Sequence, residues 1–453
     1  MRDLLVAAII FGLLPMVLRR PQVGIYLWCW ISYMNPHRLA YGFALNFPWA
    51  YTIAIATLMG MFFSKEPKRI LWTRETILIL ILLGWAAITS MTAFFPDLAW
   101  AGWVKFFKIL LMTFVTLIVI NNRERLIGVI WMIALSLGFF GIKGGIFTIA
   151  KGGVHRVQGP DGTFIAGNNE MALALVMTVP LIAYLRNQEK RSWLKLGLTG
   201  AMLLTAIAGI GSQSRGALVG MLAMGLFLWM KSRNKIMTML MIVISVGAIA
   251  SIMPQEWYAR MQTTKSYQED DSALGRINAW HTAFNVASAR ITGGGIEMFR
   301  PSVFREYAPE PGRVHDVHSV YFEMMGEHGF IGFGLFMSIM VLTWMKGSSI
   351  IRRTKRIPEM KWAQELAAMT QVSMIGYATC GAFLGLSYFD YYWHLVAIMV
   401  ILNHLVTQQL AESAAQTRPV GFKQTTGPGG ERNFPAERLP PSPAQAAFRM
   451  PSR

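Results

Sequence analysis

Arg215 is the residue of this 453-residue chain whose position most strongly suggests chemistry. It lies in the segment Gly-Ser-Gln-Ser-Arg-Gly at 211–216, between two apolar segments that are very close together. The turn must therefore lie at or inside the surface of a membrane, where a charged side chain is costly and often functional. A guanidinium can bind two phosphate oxygens at once. An arginine that merely extends toward lipid headgroups explains the position equally well.

His318 opens a second polar cluster, where a long connecting segment enters a helix. An imidazole takes up protons near neutral pH, so His318 is a candidate general base. Glu323 follows about one and a half helical turns later and could hold the imidazole. A polar cluster that only caps the helix is the simpler alternative. With His315, Glu327 and His328 the cluster could also be read as a metal site, but the chain lacks the His-Glu-x-x-His spacing, so we expect no metal.

The elements that position these residues are membrane helices. Hydrophobic residues make up 54% of the chain and charged residues 15%. The segments Ile77–Phe95, Leu196–Ser214 and Leu366–Phe389 contain no charge at all, and a membrane helix needs about 20 apolar residues. A soluble enzyme, a disordered chain and a single-anchor protein are excluded. We predict an all-α polytopic membrane protein with about 12–13 transmembrane helices, near 4–18, 22–34, 47–63, 76–95, 104–120, 126–149, 170–185, 195–211, 214–230, 236–253, 318–345, 366–387 and 391–408.

The net charge of +18 fits basic cytoplasmic loops better than binding to nucleic acid, which we do not expect. Short loops rich in Lys and Arg alternate regularly with loops poor in them. The basic loops lie near 19–20, 65–74, 123–125, 186–195, 231–235 and 346–361. Arg215 and His318 then share the opposite, non-cytoplasmic face.

We expect two parts in the chain. Residues 1–410 form the transmembrane domain, and its long loop on the non-cytoplasmic side, 254–317, is partly helical. Ser272 begins a capped helix that runs to about Ala289, and the glycines at 293–295 mark a turn. Residues 411–453 are rich in proline and are predicted to be a disordered cytoplasmic tail.

Several cations lie on the face where the positive-inside rule disfavours them. Lys105, Lys108 and Lys143 lie within or beside membrane segments on that face, which suggests an anionic ligand. Glu170 starts a helix on the same face. It could pair with one of these cations or contact the substrate.

Three motifs resemble the O-antigen ligase and polymerase-like superfamily of bacterial membrane glycosyltransferases. The first is Gly-Ser-Gln-Ser-Arg-Gly at 211–216, which opens a membrane helix. The second is Gly-Arg-Ile-Asn-Ala-Trp at 275–280, followed by Gly-Gly-Gly-Ile-Glu-Met-Phe at 293–299. The third is the segment 318–332, which resembles a His-Asn/Ser, Glu-x-Gly-x-x-Gly helix. The segments 1–5, 17–21 and 32–39 further resemble the O-glycosylation ligases associated with the exosortase A system.

The resemblance implies a fold of the C-type membrane glycosyltransferases, in the bacterial inner membrane, with the active site facing the periplasm. Such a ligase joins a glycan from an undecaprenyl-diphosphate carrier to a hydroxyl of an envelope acceptor, and neither ATP nor a metal or other cofactor is expected. By the family pattern His318 is the general base, Arg215 binds the diphosphate and Arg276 assists. Asn169 and Glu170 are expected to bind substrate, as are Lys105, Lys108 and Glu323 on the residue-level argument above.

Two alternatives stay open. A glycan polymerase would use the same donor with a second lipid-linked glycan as acceptor. A transporter or flippase of lipid-linked glycans is an alternative of another class, although the chain shows no pair of matched, broken-helix halves. His328 stands where the family pattern has an apolar residue after Glu327, which leaves a second candidate base.

Overall fold

The computed structural model describes residues 1–231, 234–237, 239–240, 247 and 271–417. These residues are mostly α-helical and contain no β-strand. Seven of the described helices (α4, α5, α6, α7, α8, α12 and α14) are long and apolar enough to cross a membrane, which confirms the predicted all-α polytopic class. In chain order the helices are α1 (Arg2–Arg19), α2 (Pro21–Cys29), α3 (Trp49–Phe63), α4 (Arg74–Met91), α5 (Pro96–Val119), α6 (Arg123–Ala150), α7 (Asn168–Gln188), α8 (Ser192–Gly211), α9 (Arg215–Lys231), α10 (Asp271–Ala289), α11 (Pro301–Tyr307), α12 (Val320–Thr354), α13 (Lys361–Cys380) and α14 (Asp390–Thr417).

The predicted apolar segments correspond to these helices along most of the chain. The segment 22–34 is α2 continued by a π-helical turn at Trp30–Met34. The segment 236–253 lies mostly outside the described residues. Crossings beyond the seven stay a prediction.

The prediction of one helix over 366–387 was wrong, because α13 ends at Cys380. The chain continues as a short 3-10 turn, Gly381–Phe383, and then bonds to a different helix. The Ser387 amide donates to the Glu323 carboxylate at 2.9 Å, and the Ser387 hydroxyl donates to the Val320 carbonyl at 3.0 Å. Tertiary hydrogen bonds to α12 therefore replace helical ones in this stretch.

The ends of the helices that carry basic loops gather on one side of the bundle. The Arg123 guanidinium, at the start of α6, lies 4.6 Å from the centre of the Trp362 ring of α13. Gln188, at the end of α7, donates to the Glu365 carboxylate of α13 at 2.7 Å. This grouping agrees with the alternation of basic loops in the sequence. That this side faces the cytoplasm stays a prediction.

The glycine turn predicted at 293–295 lies on the opposite side and docks onto α12. The amides of Gly294 and Gly295 donate to the carbonyls of Gly326 and Glu327, both at 2.8 Å. Helix α12 bends directly after these residues, at Gly329, where φ is 66° and ψ is −175°. A side chain there would meet the neighbouring backbone, so only glycine fits. The predicted turn is confirmed, and so is the preceding helix, since α10 spans Asp271–Ala289.

Residues 1–409 form one compact unit, as far as they are described. Of the predicted long loop, 254–270 lie outside the described residues, as do 418–453 of the predicted tail. Cys29 and Cys380 are buried free thiols.

Candidate functional site

Three arginines line one cavity on the side of the bundle that holds the glycine turn. Arg156, Arg215 and Arg276 surround a space of about 350 Å³, together with the amides of Asn168 and Asn169. The lining residues in the described part of the chain include no carboxylate. This arginine cavity offers guanidinium donors of the kind that bind phosphate oxygens in pairs.

Arg215 owes its place to the turn between α8 and α9. The Asn168 side chain donates to the Ser212 carbonyl at 2.9 Å, which ties the turn to the start of α7. The Ser214 hydroxyl accepts from the Ala217 amide at 3.3 Å and so caps α9. Arg215 is the first residue of that helix, whose amino end favours a negatively charged ligand.

Arg276 is held by α10, which packs on the segment before α12. The Asn278 side chain donates to the carbonyls of Glu310 and Arg313, at 2.9 and 2.8 Å. A Cβ at Gly275 would lie only 2.8 Å from the His315 ring, so glycine lets α10 approach this closely. Helix α10 thereby brings Arg276 to the segment that contains His318.

His318 is partly buried and is paired with a carboxylate. Its Nδ1 lies 3.4 Å from the Asp316 carboxylate, and 25% of its side chain is exposed. Its φ of 40° lies in the left-handed region, which is unfavourable for histidine and common at functional sites. Burial lowers the pKa of His318, the Asp316 carboxylate opposes that shift, and the Arg276 guanidinium lowers the pKa further. The imidazole is therefore neutral near pH 7 and able to accept a proton.

The carboxylate beside His318 is Asp316 rather than the expected Glu323. Glu323 accepts the Ser387 amide instead and lines a second cavity, of about 520 Å³. Phe299 and His315 are among the residues that line this second cavity. Four carboxylates also line it, and we call it the acidic cavity: Glu297, Asp316, Glu323 and Glu327. His318 therefore interacts electrostatically with residues of both cavities, namely with Arg276 of the arginine cavity and with Asp316 of the acidic cavity.

His328 is unsuited to act as the base. It is fully buried, its Nδ1 lies 2.6 Å from the Thr89 hydroxyl and its Nε2 lies 2.8 Å from the Tyr388 hydroxyl. Tyr388 in turn donates to Glu327 at 2.5 Å. Both ring nitrogens are engaged in a network that fixes the bend of α12.

Two predicted residues lie near the arginines. Asn169 lines the arginine cavity itself. Glu170 is half-buried next to it, within electrostatic range of Arg276 and Asp316. Their roles in binding substrate stay predictions.

The two predicted lysines of α5 lie elsewhere. The Lys105 ammonium is 3.9 Å from the centre of the Phe164 ring and within electrostatic range of Glu297, which lines the acidic cavity. Lys108 bonds to the Tyr51 hydroxyl of α3 and lies over that ring, 4.5 Å from its centre. Lys108 lines neither of the two cavities.

Arg156 is the arginine of the cavity that the sequence did not single out. In the sequence it is one of many cations outside the basic loops, within 150–169, a segment without periodicity. The structure ties this segment to the turn before Arg215, since the Val157 amide donates to the Gly211 carbonyl at 3.2 Å. Sequence spacing carries no signal for that contact.

The described residues contain no group of three or more His, Cys, Asp or Glu side chains placed to hold a metal ion. The prediction that no metal or cofactor is needed stays a prediction.

Two family models match parts of the chain. Residues 200–337 match the family described as O-antigen ligase. Residues 1–190 match a family of unknown function (DUF5935), and a search of curated proteins found no match. Arg215, Arg276 and His318 all fall inside the O-antigen ligase match, while Arg156 falls in the other. The match supports the resemblance to the O-antigen ligase superfamily and a function of the membrane glycan ligase or polymerase type.

Proposed function

We propose that the protein is a membrane glycan ligase of the O-glycosylation or O-antigen type. It transfers a glycan from an undecaprenyl-diphosphate carrier to a hydroxyl group of an envelope acceptor. The observation that carries this proposal is the cavity of three arginines, one of which, Arg276, lies within electrostatic range of a histidine paired with a carboxylate. An arginine cavity suits the diphosphate, and the histidine suits the acceptor hydroxyl.

In the proposed reaction the acceptor oxygen attacks the anomeric carbon of the glycan. His318 takes the hydroxyl proton, the bond between that carbon and the diphosphate oxygen breaks, and undecaprenyl diphosphate leaves with the bonding electrons. Arg215 and Arg276 stabilise the negative charge that grows on the diphosphate. The donor's diphosphate already stores the required free energy, so the step needs no ATP.

The acidic cavity is the proposed approach for the acceptor. Its carboxylates can accept hydrogen bonds from hydroxyl groups, whereas they would repel a diphosphate. Asp316 lines this cavity and also lies beside His318 Nδ1. The opposite nitrogen, Nε2, is then the atom that takes the acceptor's proton.

The proposed location is the bacterial inner membrane, with the site facing the periplasm. The support is the grouping of the basic loops on the side opposite the arginine cavity. The motifs at 1–5, 17–21 and 32–39 support the exosortase-associated branch in particular.

The test is a transfer assay with the full-length protein in lipid nanodiscs and a purified undecaprenyl-diphosphate-linked glycan. Arg215→Ala should reduce transfer about 10²–10³-fold, the usual effect of removing one donor to developing charge. Arg305→Ala is the matched control, because Arg305 is an exposed arginine of α11 outside both cavities. Equal activity of both variants would refute the role of the arginine cavity.

The products of the same assay separate a ligase from a polymerase. A ligase leaves free undecaprenyl diphosphate and a glycosylated acceptor, while a polymerase leaves longer glycans on the carrier. In cells, loss of a ligase should make long chains accumulate on the carrier. Accumulation of single repeat units would show a polymerase instead.

A further inference from the structure

The arginine cavity continues into two grooves on the outside of the bundle. Arg156 lines both the cavity and a groove of about 350 Å³ over α6. Leu39 and Lys143 line that groove and also a further one, of about 270 Å³, between α1 and α6. The shared residues make the three spaces consecutive, with a cation at each junction.

The two grooves are mainly apolar and descend toward the middle of the membrane. Their lining on α6 runs from Phe147, near the end of the helix, back to Phe139, about 16 Å from that end. On α1 it runs from Arg2 to Ile9. Phe139 and Phe147 keep 39% and 37% of their surface exposed, so the grooves open sideways.

We propose that the two grooves, which together we call the α6 groove, hold the first isoprene units of the donor's polyprenyl chain. This inference rests on the proposed function, because a diphosphate bound among the arginines must lead its apolar chain out of the cavity. The acidic cavity offers that chain a polar surface, and the α6 groove offers an apolar one. Arg156 lies where the arginine cavity meets the apolar groove.

Lys143 fits the same assignment. It lies seven residues before the end of α6, about 10 Å below that end. Within the described residues it forms no ion pair, although an ammonium at this depth gains from a nearby anion. With the diphosphate in the arginine cavity, the chain passes Lys143 at the junction of the two grooves and continues toward Phe139. The groove would give a role to the part of the chain that matches the family of unknown function.

The first test is photolabelling of the full-length protein in nanodiscs. The probe is undecaprenyl diphosphate, without a glycan, with a diazirine on one of its first isoprene units. We expect label on peptides that contain residues 139–147, and at least tenfold less label in Leu39→Trp, whose indole fills the junction of the two grooves. Leu203→Trp, on the exposed surface of α8, is the control and should keep its label. Label confined to other helices, or displaced equally by ordinary phospholipid, would overturn the proposal.

The second test compares donors with long and short chains. Leu39→Trp should raise the KM for the undecaprenyl donor about tenfold, the effect of losing roughly two buried CH₂ groups. It should leave unchanged the KM for a donor whose diphosphate carries a single methyl group instead of the prenyl chain, because that donor has no isoprene unit to place in the groove. If the native protein transfers from both donors and Leu39→Trp affects neither, the groove is wrong and the proposed function stands. If the native protein transfers from neither donor, the proposed function fails, and with it the assignment of the groove.

Discussion

Replacing His318 gives the most direct test of the proposed chemistry. Asn is the substitution to use, because Asn tolerates the left-handed backbone that His318 adopts, with φ of 40°. His318→Asn therefore removes the imidazole without adding strain to the backbone. The arginine cavity stays in place, so binding of the donor should be preserved.

The size of the effect follows from the role of a general base. Such a group typically accelerates a reaction about 10²–10⁴-fold. At about 1.36 kcal/mol for each tenfold change, the imidazole supplies roughly 3–5 kcal/mol of transition-state stabilisation. We expect His318→Asn to lower kcat about 10²–10⁴-fold, while the KM for the donor changes little.

The assay measures initial rates of transfer in nanodiscs, with donor and acceptor varied in turn. His281→Asn is the matched control, since His281 is an exposed histidine of α10 outside both cavities. A mutant with full activity would refute the assignment of His318 as the base. A mutant that fails only because the donor no longer binds would place His318 in binding instead.

The dependence of the rate on pH tests the same assignment independently. Because burial lowers the pKa of His318 from its ordinary value of 6.5, the base is neutral at pH 7 and becomes protonated only in more acidic solution. The ratio kcat/KM should be flat near pH 7 and fall as pH drops through this lowered pKa. Asp316 opposes the shift, so Asp316→Asn should move the acidic limb to lower pH. Movement to higher pH, or a limb that His318→Asn leaves unchanged, would contradict the reasoning.

Three further predictions concern the scaffold. Glu75→Gln should destabilise the protein by about 3–5 kcal/mol, because Glu75 is buried and its loss leaves the largely buried Lys346 ammonium, 2.6 Å away, without its partner; thermal unfolding should show the loss, and replacing both residues by Met should recover most of it. His328→Leu should lower the unfolding temperature through about 1–3 kcal/mol of lost hydrogen bonding, yet the pH profile should keep its acidic limb, which would vanish if His328 were the base. Gly329→Ala should abolish folded expression, because its Cβ would lie 2.2 Å from a backbone oxygen, whereas Gly334→Ala, with open space around it, should express normally in the same fluorescence-detected chromatography.

Much of the membrane architecture could be predicted from the sequence, because apolar runs and basic loops report directly on burial in a bilayer. The helix after Ser272 and the glycine turn at 293–295 were also predictable, since capping and turn residues act locally. The end of α13 at Cys380 was not. The apolar run continues past it, and the hydrogen bonds that break the helix come from α12, far away in sequence.

The candidate site likewise contains residues that could be predicted from the sequence and residues that could not. Arg215 and His318 stand out because a charge at membrane depth and a histidine at a helix entry are unusual in their local context. Asp316 could not be predicted as the partner of His318, because the pairing depends on the left-handed backbone of His318. Counting helical spacing from His318 leads to Glu323 instead. Arg156 required the contact between its loop and the α8–α9 turn.

The bend of α12 bears on how the chain enters the membrane during synthesis. A straight helix of its length would extend about 52 Å, far more than the hydrocarbon thickness of about 30 Å. The bend at Gly329 separates residues 320–328, with Glu323 and Glu327, from the apolar residues that follow. A carboxylate at the bilayer centre costs about 2.5–3.5 kcal/mol during insertion. Because both lie before the bend, the insertion machinery can recognise the apolar segment that begins at Phe330 as the spanning segment, and the acidic cavity forms afterwards, when the chain folds.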